Sequence, residues 1–215
     1  MDNNKIKSAL EELENNSKKR NFKQSYDLII NLKNLDLKKA DQQIDFFMQL
    51  HYPRYKPVKV CALVGPESVE GAKAADTVIV VDDFEKYKDK KLAKKLAEEH
   101  DWFVAQANLM GQIASVFGRV LGPRNKMPNP KAGCVVPPKA NLEPLIEKLN
   151  KTVRIMAKKD PVIQVMVGKE GMPVEELVDN IHTIYTQVIH HLPGEENNIK
   201  SVLIKKTMSK PVRVV

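Results

Sequence analysis

Glycine, proline and positive charge crowd into FGRVLGPRNKMPNPKAGCVV, Phe117 to Val136, more densely than anywhere else in the chain. Pro123, Pro128 and Pro130 fix φ and keep the residues before them out of the helical region, while Gly118, Gly122 and Gly133 are free to take backbone angles closed to other residues. Arg119, Arg124, Lys126 and Lys131 stand among them, and such cations stay in water or find anions, because burying one unpaired is prohibitive. A stiff cationic loop suits a polyanion. An ordinary surface loop has the same composition, so composition alone leaves both readings open.

Residue types with catalytic potential lack the spacing that catalysis needs. The turn after the apolar run VKVCALV reads GPESVEG, and its Gly65 and Gly71 do not make GxGxxG; no GxxxxGKS or GxxxxGKT occurs anywhere. Asp82 and Asp83 follow TVIVV, where acids hold ribose or magnesium in some α/β proteins but more commonly begin a helix. His182, His190 and His191 have no HExxH and no carboxylate at ligand spacing, and belong on a helix surface and its C-terminal end. Cys61 and Cys134, the only cysteines, are flanked by apolar residues and read as reduced packing groups. No metal or cofactor is implied. A nucleotide-binding α/β enzyme, the alternative reading, is left without a motif.

A further candidate closes the chain. SVLIKKTM, Ser201 to Met208, alternates as a strand, with Ser201, Leu203, Lys205 and Thr207 on one face and Val202, Ile204, Lys206 and Met208 on the other. Small hydroxyls and an apolar side chain at a strand's end, followed by Ser209 and Lys210, suit recognition of RNA by shape through phosphates and 2′-hydroxyls.

The elements that must position these residues follow from periodicity. Ile6, Leu10 and Leu13 mark an opening helix, and Tyr26, Ile29, Ile30 and Leu32 suggest a second after a turn at Phe22 to Ser25. QIDFFMQL, from Gln43 to Leu50, reads as a strand. From Val58 the pattern changes: VKVCALV, TVIVV and DWFVAQ are buried strands, separated by a short helix SVEGAKAA and a lysine-rich one from Tyr87 to Glu99. Another helix, Leu109 to Phe117, precedes the glycine-proline loop, and Leu142 to Leu149 forms the last of this region. Continuous apolar runs alternating with helices predict a parallel α/β sheet. TVRIMAKK and PVIQVMVG are then strands about an Asp-Pro turn, and a long helix with Pro173 in its first turn runs to Leu192.

The C-terminal strands have one helix to cover them, and the N-terminal segment has a strand without partners. Joining the two ends repairs both deficits. The chain therefore reads as a split α+β domain, 1–58 with 154–215, carrying an inserted Rossmann-like α/β domain, 59–153. The net charge of +8 is spread along all of it: 11 basic and 8 acidic side chains over 1–58, 15 and 12 over 59–153, and 9 and 7 over 154–215. An anion site must therefore be assembled by folding. No apolar run approaches the roughly 20 residues that span a bilayer and the N-terminus has no signal-peptide core, so a cytoplasmic protein without a membrane partner is expected.

GRVLGPRNKMPNPKAG from Gly118 to Gly133, NFKQS at 21–25, VGKEGMP at 167–173 and SVLIKKTMSKP at 201–211 together resemble the ribosomal protein L-one family, the stalk proteins of the large ribosomal subunit, in its archaeal form. The resemblance implies two domains joined by a two-stranded hinge, and no catalysis. It implies binding of large-subunit ribosomal RNA at the mobile stalk beside the tRNA exit site, with repression of the protein's own messenger through a similar leader site, and a monomer off the ribosome. The matching RNA-binding positions are Phe22, Lys23 and Ser25; Gly168, Lys169 and Gly171; and Ser201, Lys205, Thr207, Met208 and Ser209, the last standing where the family usually has glycine. Gly118, Arg119, Gly122, Arg124, Lys126, Asn129 and Lys131 then become a secondary RNA contact or structure on the hinge side.

Overall fold

The structure, a computed structural model, describes residues 1–214, the Ala40 side chain excepted. In chain order its elements are α1 (Asn3–Asn16), β1 (Ser25–Leu32), β2 (Ile44–Gln49), β3 (Val60–Val64), β4 (Thr77–Val80), α2 (Lys90–Glu99), β5 (Trp102–Gln106), α3 (Met110–Leu121), β6 (Val135–Val136), α4 (Glu143–Lys151), β7 (Thr152–Ala157), β8 (Val162–Lys169), α5 (Val174–His191), β9 (Ile199–Lys206) and β10 (Val212–Arg213). They fold as two compact units, one made of residues 1–56 with 151–215 and the other of 57–150.

In the split unit an antiparallel sheet has the order β10-β9-β1-β8, so the N-terminal strand is enclosed between two strands from the far end of the chain. β2 pairs antiparallel with β7, again joining the two termini. One core holds Ile6, Leu10 and Leu13 of α1, Leu28 and Ile30 of β1, Val202 and Ile204 of β9, and Ile181, Ile184 and Val188 of α5. α1 begins at an Asp2 cap whose carboxylate accepts the Asn4 N–H. Pro173 occupies the N-cap of α5, one position ahead of the first turn.

β1 corrects the expected second helix. Tyr26, Leu28, Ile30 and Leu32 are buried and the residues between them half-buried, a period of two. Ile29, counted toward a helical stripe, lies on the open face, and the strand bonds to β8 and β9 on its two sides. Tertiary pairing decided an ambiguous apolar run. The alternation in β9 is as expected as far as Lys206, but the strand ends there: Thr207 and Met208 lie in the following turn, and Met208 is exposed instead of sharing the buried face.

The second unit is a parallel sheet of order β4-β3-β5-β6, with β3 buried along its whole length. Here the expected helix SVEGAKAA is a short 3-10 turn, Pro66–Ser68, followed by further turns. Its Gly71 passes so close to the chain at Ala140 that a Cβ would stand 2.3 Å from that carbonyl oxygen, and it accepts the Leu142 N–H at 3.0 Å. The lysine-rich helix is split into a 3-10 segment, Val81–Lys88, and α2, where Asp89 caps a new start. α3 runs four residues past Phe117, so Gly118 and Arg119 are helical and the loop begins at Gly122.

Candidate nucleic-acid interface

Three segments distant in sequence meet at one end of the antiparallel sheet. Ser25 pairs with Lys169 and Tyr26 with Gly168 in the β1–β8 register, and Tyr26 pairs with Lys206 across β1–β9. Beyond the strands the loops bond directly. Thr207 Oγ1 accepts the Ser25 N–H at 3.1 Å, the Thr207 N–H donates to the Ser25 carbonyl at 3.1 Å, and the Glu170 N–H donates to the Gln24 carbonyl at 2.9 Å. Gln24, 2% exposed, accepts the Met208 N–H with Oε1 at 3.0 Å. Phe22, Lys23, Ser25, Lys169, Gly171, Thr207, Met208 and Ser209 thus lie together, with Gly168 buried beneath them.

Two apolar side chains stand out of this surface, Phe22 at 52% and Met208 at 59% exposure. Lys23 and Lys210 are exposed beside them, with Lys18, Lys19 and Arg20 on the approach from α1 and Lys169 half-buried on β8. Gly171 has φ +100°, a backbone region that disfavours any side chain, and Gly168 packs so tightly that a Cβ would meet Met172 Sδ at 2.7 Å. Ser209 needs no glycine: its φ is negative, and its hydroxyl accepts the Lys206 N–H at 2.8 Å, closing the turn.

Ser201 is not beside Thr207. It lies at the opposite end of β9, six residues or about 20 Å away at strand rise, where its hydroxyl accepts from Asn31 Nδ2 at 2.8 Å. Lys205 is half-buried on the open sheet face opposite Asp27. Burial raises the Asp27 carboxyl above its ordinary value, and Lys205 opposes that rise.

Beneath the surface lies a group that motif reading passed over. Lys206, 3% exposed, places its ammonium 2.7 Å from Glu14 Oε2 and 3.0 Å from Glu170 Oε1. Burial disfavours that charge, but the hydrogen bonds to Glu14 and Glu170 outweigh it and raise the pKa. Burial likewise works against the Glu170 carboxylate, and the Gln24 N–H with Lys206 outweighs it, leaving the acid below its usual range. The signal was legible: Lys206 falls in phase with buried Val202 and Ile204.

The glycine-proline loop of the second unit spends much of its polarity on its own structure. Lys126 donates to the carbonyls of Ala97 and His100, both at 2.7 Å, capping the end of α2. Arg124 pairs with Glu98 at 3.2 Å, and Asn129 accepts the Lys131 N–H at 2.9 Å. Of the three glycines only Gly133 takes a positive φ, +77°; a Cβ on Gly122 would stand 2.7 Å from the Gly118 carbonyl oxygen. Arg119 and Lys131 project into solvent.

Asp82 and Asp83 fall in the first turn of a 3-10 segment, Asp83 bonded to Lys86 at 2.6 Å. His191 stacks on Phe46 at 3.8 Å, its Nδ1 2.8 Å from the Gln187 carbonyl oxygen. Cys61 and Cys134 are free and buried, and burial pushes their thiols up to about 12 and about 11. Among the described residues no three His, Cys, Asp or Glu side chains are grouped to hold a metal ion, and no helix is long and apolar enough to cross a membrane.

A split antiparallel unit displaying exposed apolar and cationic side chains on interlocked loops, with a parallel α/β unit inserted in it, defines a two-unit protein of mixed α/β class. The chain belongs to the ribosomal protein L1p/L10e family, whose model matches residues 13–210. It is similar to the large ribosomal subunit protein uL1 of Methanobrevibacter smithii, 40% identical over 213 residues and 98% of each chain. The protein of that name from Nanoarchaeum equitans is 44% identical over 202 residues, 92% of this chain and 94% of its own, and that of Pyrococcus horikoshii 40% over 216 residues, 99% and 96%.

Proposed function

We infer that this protein is a structural, non-catalytic constituent of the large ribosomal subunit in the cytoplasm, and we propose that it holds large-subunit ribosomal RNA at the mobile stalk near the tRNA exit site through the split unit. The joint exposure of Phe22 and Met208 carries the reading, because Met208 is held by its N–H to Gln24, two residues after Phe22, and cations border both. Solvent-facing apolar side chains suit stacking on a base or sugar, Lys23 and Lys169 suit phosphates, and the Ser25 and Thr207 region offers polar groups to 2′-hydroxyls. Ser201 and Lys205 extend the contact along the open sheet face. A leader hairpin of the protein's own messenger with the same shape binds the same surface, which represses its translation. Arg119 and Lys131 of the second unit supply a secondary contact with RNA, beside deacylated tRNA, and the free protein is a monomer.

Filter binding with a stalk ribosomal RNA fragment, the leader hairpin and an unrelated hairpin of equal length tests this. The first two compete for one site and bind at least tenfold more tightly than the third. Equal affinity for all three would leave only non-specific charge attraction.

A further inference from the structure

The candidate interface is built around a cation that it does not present. The Lys206 ammonium, its side chain 4% exposed, lies between Glu14 near the end of α1 and Glu170 in the loop after β8, and 5.5 Å above the Tyr26 ring of β1. The Tyr26 hydroxyl donates to the second oxygen of Glu14. The second oxygen of Glu170 accepts the Gln24 N–H at 2.9 Å, and Gln24 in turn receives the Met208 N–H. Every segment that contributes an exposed group is therefore tied to this one charge. Glu14 fixes the start of the stretch carrying Lys18 to Lys23, Glu170 fixes the turn holding Lys169 and Gly171, and Lys206 immediately precedes Thr207 and Met208.

Stability does not account for such an arrangement, since well-packed apolar side chains commonly replace a buried ion group without loss. Its distinguishing property is direction. An ammonium between two carboxylates fixes where three backbones end, and only at the edge of the sheet that carries Phe22 and Met208. Both carboxylates also work against RNA by charge, so their presence there needs a reason other than affinity for phosphate.

We propose that Lys206 is a positioning residue for RNA, latching the α1 end, the Glu170 turn and the Thr207–Met208 turn into one binding shape without touching the RNA. This rests on the RNA-binding reading above. The discriminating variant is Glu170→Gln in the full chain, measured by filter binding to the stalk RNA fragment at several salt concentrations. Removing an acid beside a polyanion raises affinity by simple charge, whereas a loosened latch lowers it; a fall of about fivefold or more is expected. Lys206→Met lowers affinity about tenfold or more with the salt slope unchanged, and Lys206→Arg recovers most of the loss. Glu14→Gln follows Glu170→Gln in direction, so the latch stays testable if Lys206→Met does not fold. Binding by Glu170→Gln as tight as wild type or tighter overturns the proposal, as does a flattened slope in Lys206→Met, which would place the ammonium on a phosphate. Wild-type protein that ignores the stalk fragment would overturn the RNA reading and the latch together.

Discussion

Thr207 shows how much one hydroxyl is asked to do. Its oxygen accepts the Ser25 N–H while its proton has only a 3.5 Å contact with the Ser25 carbonyl, so the proton is left for an acceptor outside the protein. Changing Thr207 to Val keeps the shape, and because the residue is exposed the abandoned N–H finds water. RNA affinity then falls about tenfold, the size expected when a partner hydrogen bond is stranded, while the melting temperature barely moves. Unchanged affinity in filter binding would make this turn purely structural. Lys169 gives the complementary signature: Lys169→Ala lowers the slope of log affinity against log salt by about one, because a phosphate contact releases counterions, and Thr207→Val leaves that slope alone.

At the scale of elements, the turn after β8 depends on the left-handed backbone of Gly171. Gly171→Ala costs about 1 to 2 kcal/mol, seen as a lower urea midpoint at constant m, and weakens RNA binding with it. β2 and β7 are joined by a charge cluster in which Asp45 accepts from Arg154 at 2.8 and 2.9 Å and meets Lys158 at 2.7 Å. The Arg154 hydrogen bond leads in holding that carboxyl down at about 2 against the pull of burial. Its stabilisation is fully present above the unfolded value near 3.9 and is lost as pH falls from there toward 2. Asp45→Asn therefore costs about 1 to 2 kcal/mol at pH 7, discounted for partial exposure, and its stability approaches wild type in that acid window. Elements were legible where burial was two-sided: VKVCALV and DWFVAQ announce themselves as apolar runs. β1 was not, because its open face carries Ile29, so a period of two looked like a helical stripe. The exposed site residues came from the family motif; Lys206 stands in the buried phase of β9, but its partner Glu14 is 192 residues away and resembles a solvated surface charge until the fold joins them.

For the whole molecule, the chain crosses between the two compact units at Lys56/Pro57 and Asn150/Lys151. On the split-unit side the crossings lie close together, since the Leu50 N–H donates to the Lys151 carbonyl at 2.9 Å and Arg54 Nη2 to that of Thr152 at 3.3 Å. Joining residue 56 to residue 151 through a short glycine linker should leave a cooperatively folding fragment, measured by circular dichroism melting, that binds the stalk fragment within about tenfold of the full chain. A folded fragment without specific binding would move the main interface to the second unit.

β1 spends a long time without neighbours. During synthesis its buried residues Leu28 and Ile30 emerge early, yet β8 and β9, the strands that enclose them, end at Lys169 and Lys206. At about 5 to 20 residues per second, roughly ten to thirty seconds pass in which an apolar strand has no sheet to join, while the intervening unit is completed. Until then the N-terminal segment leaves apolar side chains uncovered. The sheet around it closes only once β9 has emerged.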